Sequence, residues 1–485
     1  VTYDAAITGS LLKSLTVCVA GTGLASALAQ TLRNLPNRWR TTAFVLLLAP
    51  AFTPSLVTGY CYRDTALSLL PHPWLRELLY TAIIAGQLIP IAVLLIWFAP
   101  PSAVTESARH AARLDRLPWR MRVQLWMRFH ANSLLPTAAF LFIASFQEAD
   151  LAALLQANTW TEWAFTRHVG GLAVGESLRM ALLPALLQLP WLLPLWLWFS
   201  EPLDRTTTSN TVRRPSVFLN ILSATWMLIA LLIVCVIPSI QLWIGARQGW
   251  PALLAQPATW RELGDAALIA ITAGALALPT AAMLMHYSQR PPRPGTPGRG
   301  AGGEGRNGHS IRLAFLALLA LPGLPGTLIL GFTLLAFFQT PPLLWAYDTP
   351  VPLIVGQALA LFPRTVLLLC CIQRWSSGTA SHVLQLSGGS PDAAQQRWYR
   401  GVMWRVQGQT WLAIGCVVFY WGYLEVMLPS LLAMPGVLPV GLVLYNSLHY
   451  GRISALGAKL VLALLCPGAM VLGLLLMRRG KIGTR

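Results

Sequence analysis

Runs of about 20 apolar residues recur along nearly the whole chain, and each can cross a ~30 Å hydrocarbon layer as a helix. A bilayer core offers backbone N–H and C=O groups no water, so a run of this length and composition must satisfy them internally as a helix. The expected fold is therefore all-α, a polytopic membrane helical bundle. About eleven candidate spans can be laid out, near 11–31, 41–62, 77–99, 131–155, 173–199, 217–244, 263–286, 311–338, 351–372, 408–434 and 455–477. Composition supports this: 55% of the 485 residues are hydrophobic and 11% charged, where a soluble chain carries roughly a quarter charged residues.

The net charge of +18 raises the question of a nucleic-acid partner. Its distribution answers it. Six alternate segments (32–40, 100–130, 200–216, 287–312, 373–407 and 478–485) hold 25 of the 35 basic residues. That is the positive-inside bias. It places these segments in the cytoplasm and 156–170 and 435–452 outside, with no zinc-finger spacing or aromatic RNA motif to favour nucleic acid. The N-terminus is then outside and the C-terminus inside. An odd number of spans with an outside start, beginning at Val1, reads as a bundle lacking its first helix.

The seven cysteines lie in or beside spans without a C-x-x-C pair, and read as small buried apolar residues. Eight scattered histidines give no metal-ligand cluster, and His168 and His449 read as packing or surface residues. Trp74, Trp160, Trp163, Trp243 and Trp250 are expected in interfacial belts. No cofactor is expected.

An internal repeat organises the chain. The segments "ESARHAARLDRLPWRMRVQLWMR" (106–128) and "ASHVLQLSGGSPDAAQQRWYR" (380–400) align on their histidines without a gap. His110 meets His382, Leu114 meets Leu386, Gln124 meets Gln396, Trp126 meets Trp398 and Arg128 meets Arg400. Each is followed by a span with acid near its far end, "FQEAD" at 146–150 and "YLEV" at 423–426. The chain is read as two halves, 1–205 and 206–485. Both cassettes are cytoplasmic, so the halves run parallel, related by a pseudo-two-fold axis along the membrane normal. Residues 288–310, rich in Pro, Gly and Arg, are expected to be a disordered cytoplasmic loop.

Each cassette reads as a short loop helix, near 105–116 and 377–389, with Thr and Ser available to cap its start and Pro118 or Gly388–Gly389 to end it. These cassettes resemble the cytoplasmic loop of permease subunits of binding-protein-dependent ATP-binding-cassette importers. That pattern is Glu-Ala-Ala, three residues, Gly, nine residues and Ile-x-Leu-Pro. Ala111 and Ala112 match in "HAARLDR", with His110 in place of Glu and Arg116 in place of Gly; Arg113 and Asp115 lie within the same stretch. Gly388 matches in "HVLQLSGGSP", where His382 again replaces Glu and Pro391 follows. The whole arrangement is similar to fused permeases of the iron(III) and thiamine type.

The resemblance implies a transport subunit of a bacterial inner membrane, without catalytic residues, working by alternating access. It implies a cytoplasmic ATP-binding-cassette ATPase dimer and an extracytoplasmic solute-binding protein as partners, besides membrane lipid. The chain carries no G-x-x-x-x-G-K-[ST] phosphate loop, so the ATPase is expected on a separate polypeptide. Two other classes stay open: a secondary carrier driven by an ion gradient, and a membrane scaffold or sensor derived from a permease. Glu148 and Glu425 fall on the order of 25 Å along their spans at 1.5 Å per residue. They are either wet acids at a span end or, with Gln147 and Asp150, a cation-attracting gate on the solute path. Iron(III), thiamine, a polyamine or an inorganic oxyanion would all fit the architecture.

Overall fold

The computed structural model describes residues 2–99, 118–200, 217–289, 323–375, 397, 402, 408–449 and 455–479, and every regular element among them is helical. Six helices are long and apolar enough to cross a membrane: Tyr3–Asn34, Pro73–Trp97, Val174–Trp198, Val217–Leu254, Ala258–Met285 and Val351–Ile372. Counting three bent helix pairs as single spans gives nine, and the shorter apolar helices Thr410–Tyr423 and Leu456–Met470 fall where the last two spans were expected. The chain thus has the helical, apolar character of a multi-pass membrane protein.

Contacts divide the chain into two compact units, Val1–Gly171 with Arg179–Ile240, and Leu172–Leu178 with Gln241–Arg485. The dividing point lies inside one helix at 240/241, where the sequence repeat places it at 205/206. Residues 217–240 join the first unit through Ser223, Ala230 and Val234, which are buried, while many of their apolar side chains are exposed.

In the first unit, α1 (Tyr3–Asn34) opens on Thr2, whose hydroxyl accepts the Ala5 N–H. It packs against α4 (Pro73–Trp97) and α5 (Trp119–Phe146). Small residues let these backbones approach: Gly21, Ala25 and Ala29 of α1 face a core with Ile89, Val93 and Leu141. Between them α2 (Asn37–Leu48) and α3 (Ser55–Ser68) meet at a 66° bend. The intervening Pro50 and Pro54 have no N–H to continue a helix. The unit also holds α6 (Asp150–Leu155), α7 (Trp160–Val169) and most of α8 (Val174–Ser200).

The helix α9 (Val217–Leu254) widens into a π-helical stretch at Leu231–Val236. There the Tyr62 hydroxyl donates to the Ile233 carbonyl at 2.8 Å, supplying a partner where the α-helical ladder is interrupted.

In the second unit, α10 (Ala258–Gln289) packs against α12 (Val351–Trp375) and α13 (Gln409–Tyr423), while α14 (Met427–Leu432) packs on α11 (Thr327–Phe338). The unit closes with α15 (Val440–His449) and α16 (Leu456–Arg479). Ala246 and Leu253 of α9 are buried with Ala455 and Ala458.

Candidate functional site

Both stretches expected as single spans, near 131–155 and 408–434, are interrupted where their acids stand. In the first unit α5 ends at Phe146, Gln147 caps it, and α6 begins at Asp150. In the second, α13 ends at Tyr423, Leu424 caps it, and α14 begins at Met427. Each break is three residues, with a glutamate in its middle position, and each is followed by a six-residue helix.

A helix start leaves N–H groups without intrahelical partners, and the glutamates meet that need. Glu148 Oε1 accepts from Leu151 N–H at 3.0 Å, and the N–H groups of Met427 and Leu428 face the Glu425 carboxylate. Neither acid is an exposed residue at a span end: Glu148 is half-buried and Glu425 buried. A carboxylate there serves the backbone of the break.

The ten-residue helix that follows closes on the same point in each unit. Thr161, second residue of α7, donates its hydroxyl to the Glu148 carbonyl at 2.7 Å. Gly441, second residue of α15, sits so close to the Glu425 carbonyl that a Cβ would stand 2.7 Å from it. The six-residue helices seat alike as well. A Cβ on Gly59 of α3 would stand 2.4 Å from Leu154 Cδ1, and one on Gly331 of α11 would stand 2.5 Å from Leu431 Cδ1.

The polar groups around the two breaks differ. In the first unit Lys13 of α1 pairs with Glu77 of α4 and donates to the Asn158 carbonyl at 2.6 Å. Glu77 accepts the Asn158 N–H at 2.8 Å and has Arg76 within 3.6 Å. The Trp160 N–H donates to Ser10 Oγ, and its indole to the Phe146 carbonyl at 2.7 Å. Tyr80, whose ring lies under Lys13 Nζ, feels the charges of Glu148 and Glu77.

In the second unit Arg364 of α12 reaches Glu425 at 3.9 Å, and Glu425 Oε1 is buried without a hydrogen-bond partner. A second pair, Lys459 of α16 with Glu262 of α10, lies 7% and 12% exposed. Gln357 of α12, two turns before Arg364, is buried with its Oε1 unmatched.

The proposed path residues therefore divide between the units. Gln147, Glu148 and Asp150 form one break, with Asp150 in the first turn of α6 and Gln147 Oε1 buried and unmatched. Glu425 belongs to the other. The loop residues His110, Ala111, Ala112, Arg113, Asp115, His382, Gly388 and Pro391 lie outside the described residues, as does 290–310 of the expected loop; Ser288 and Gln289 end α10.

Sequence reasoning passed over Lys13, Glu77, Glu262, Arg364 and Lys459. Their signal was a lone charge inside or at the edge of an apolar run, which demands a partner. Trp160 is corrected from a belt residue to a core residue, 1% exposed. Trp163 is half-buried against Tyr3, while Trp74, Trp243 and Trp250 are exposed. Among the described residues no group of His, Cys, Asp and Glu could hold a metal ion. Comparison of the chain with protein-family models, curated proteins and solved structures finds no match.

Proposed function

We propose that the chain is the permease subunit of an ATP-driven solute importer, built from two homologous parallel halves that expose a central route alternately to the two sides of a bacterial inner membrane. The observation that carries the reading is the matched break. A glutamate in a three-residue interruption, a six-residue helix seated on a glycine, and a ten-residue helix closing on the glutamate carbonyl occur in both units. Repetition of so local a device supports descent from one duplicated unit, and the repeated loop cassettes support the same reading.

A break gives each half a place where helices can repack without opening a continuous helical ladder, as rocking motions require. In this scheme the loop helices near 105–116 and 377–389 seat on a separate cytoplasmic ATP-binding-cassette ATPase dimer. An extracytoplasmic binding protein delivers solute at the side where the N-terminus lies, and the C-terminus is cytoplasmic. Glu148, Asp150 and Glu425, with Gln147, favour a cationic solute.

A second reading rests on the unmatched Glu425 Oε1: a buried carboxylate with a vacant acceptor site could carry a coupling ion in a gradient-driven carrier. The test is recovery of the tagged full chain from its native membranes, followed by uptake in vesicles. A co-purifying protein with a phosphate loop, and uptake that needs ATP hydrolysis, are the expected results. Uptake that ignores ATP but collapses with the proton gradient would overturn the proposal in favour of the carrier. Neither an ATPase nor uptake would leave a scaffold or sensor.

A further inference from the structure

Four helix ends of the first unit meet at one end of its bundle. Arg33, near the close of α1, donates to the Ile96 carbonyl near the close of α4 at 3.3 Å, and α2 begins three residues beyond α1. The far end of α5 is fixed beside the opening turns of α1 through Trp160, which binds both Phe146 and Ser10. The first residues of α5 therefore fall at the same end as the close of α1.

That end is basic and aromatic. Guanidinium groups lie over indole rings in three pairs: Arg33 with Trp97, Arg38 with Trp39 and Arg120 with Trp119, at 5.5, 5.9 and 5.9 Å. No acidic residue occurs between Asp4 and Asp64, or between Asp115 and Glu148. The opening of α5, Trp119–Leu125, bends 68° from His130–Phe146. Every residue from Pro118 to Gln124 is exposed, including Trp119, Met121 and Val123.

We infer that this collar binds the headgroups of anionic phospholipid. The charge is complementary, and a headgroup layer accepts indole rings and guanidinium groups side by side. A protein groove is the weaker occupant. A helix docked in a groove gathers its apolar anchors on one face, whereas here Trp119 and Val123 share a face, Met121 lies on the opposite one, and Arg120 and Arg122 stand between them, all exposed. The inference is independent of what the chain transports.

The test uses the full chain reconstituted in phosphatidylcholine vesicles containing a photoreactive phosphatidylglycerol or, in parallel, a photoreactive phosphatidylcholine at equal fraction. Cross-linked peptides are mapped by mass spectrometry. Labelling at 38–40 and 118–124 is expected to favour phosphatidylglycerol. The preference should fall with Arg38→Gln, Arg120→Gln and Arg122→Gln combined, by up to about fivefold per arginine. Arg247→Gln, on an exposed position of α9, should leave it unchanged. Equal labelling by the two lipids, or a preference that survives the triple substitution, would overturn the inference. So would a photoreactive group placed at Trp119 that captures protein and not lipid in native membranes.

Discussion

The breaks at 147–149 and 424–426 share a backbone and differ in what surrounds it. Around the first, Lys13, Glu77 and Asn158 tie α1 and α4 to the chain entering α7, and Ser10 adds a second tie through Trp160. Around the second, Arg364 stands at the long limit of an ion pair with Glu425, and the Lys459–Glu262 pair joins α16 to α10. The shared parts are those that form the break: a carboxylate for the helix start, a notch for a leucine, a close approach to one carbonyl. The parts that differ are free to differ because they only brace it. A device repeated in backbone but rewired in side chains can keep its shape in both units while its stiffness and charge diverge.

The largest expected effect tests the bracing. Removing one partner of a buried ion pair strands the other charge and costs about 3–5 kcal/mol. Lys459→Ala should approach that figure, because Glu262 is nearly enclosed. Lys13→Ala should cost less, since Glu77 keeps the Asn158 N–H and Arg76. Thermal unfolding of the purified variants measures both. A Lys13 variant as damaged as the Lys459 variant would break the comparison.

Next come the notches. Gly59→Ala and Gly331→Ala should each cost about 1–3 kcal/mol by overpacking, and to a similar degree. Trimming Leu154 should rescue only the first and trimming Leu431 only the second. Rescue across units, or a loss in one unit alone, would show that the two seats are not alike.

Smaller in stability but decisive for function is the pair Glu148→Gln and Glu425→Gln. An amide oxygen still accepts from the helix start, so unfolding temperatures should hold within about 1 kcal/mol of stability. Reduced uptake with both replaced would identify charge on the solute route. Unchanged uptake would confine the glutamates to capping.

The smallest effect is a pH dependence. Burial raises the pKa of Glu162 on α7, with Thr166 donating to its carboxylate as a partial offset. The corresponding third residue of α15 is Leu442. A raised folded-state value means that the folded protein binds more protons, so this group's contribution to stability falls as pH rises. The fall begins at the ordinary carboxylate value and ends once pH has passed the raised one. Glu162→Gln should flatten that part of the stability profile, and an unaltered slope would return the effect to other groups.

Much of the helical frame was legible from apolar run length, because backbone satisfaction in lipid leaves a 20-residue run little alternative. The start of α7 carried an unused signal in a stretch expected as an outer loop: Thr159 and Glu162 stand in capping-box spacing, and the Thr159 hydroxyl accepts the Glu162 N–H at 3.1 Å. The breaks were hidden because "FQEAD" and "YLEV" carry no proline or glycine to mark an end. The acids were visible as charges, while their use as caps depends on a backbone turn that hydropathy does not encode. The ion pairs were hidden for another reason. Lys13 and Glu77, or Glu262 and Lys459, lie far apart in sequence, and only packing chooses which charge answers which.

The seat of Leu154 on Gly59, and of Leu431 on Gly331, also bears on how this chain changes over generations. Neither member of a pair can gain volume alone without loss of fitness, so tolerated replacements should arrive as couples, a larger residue at the glycine with a smaller one at the leucine. Such coupled exchanges would persist as a signature in distant descendants after overall identity has faded, and the two couples would drift independently, recording separate histories for the two parts of one chain.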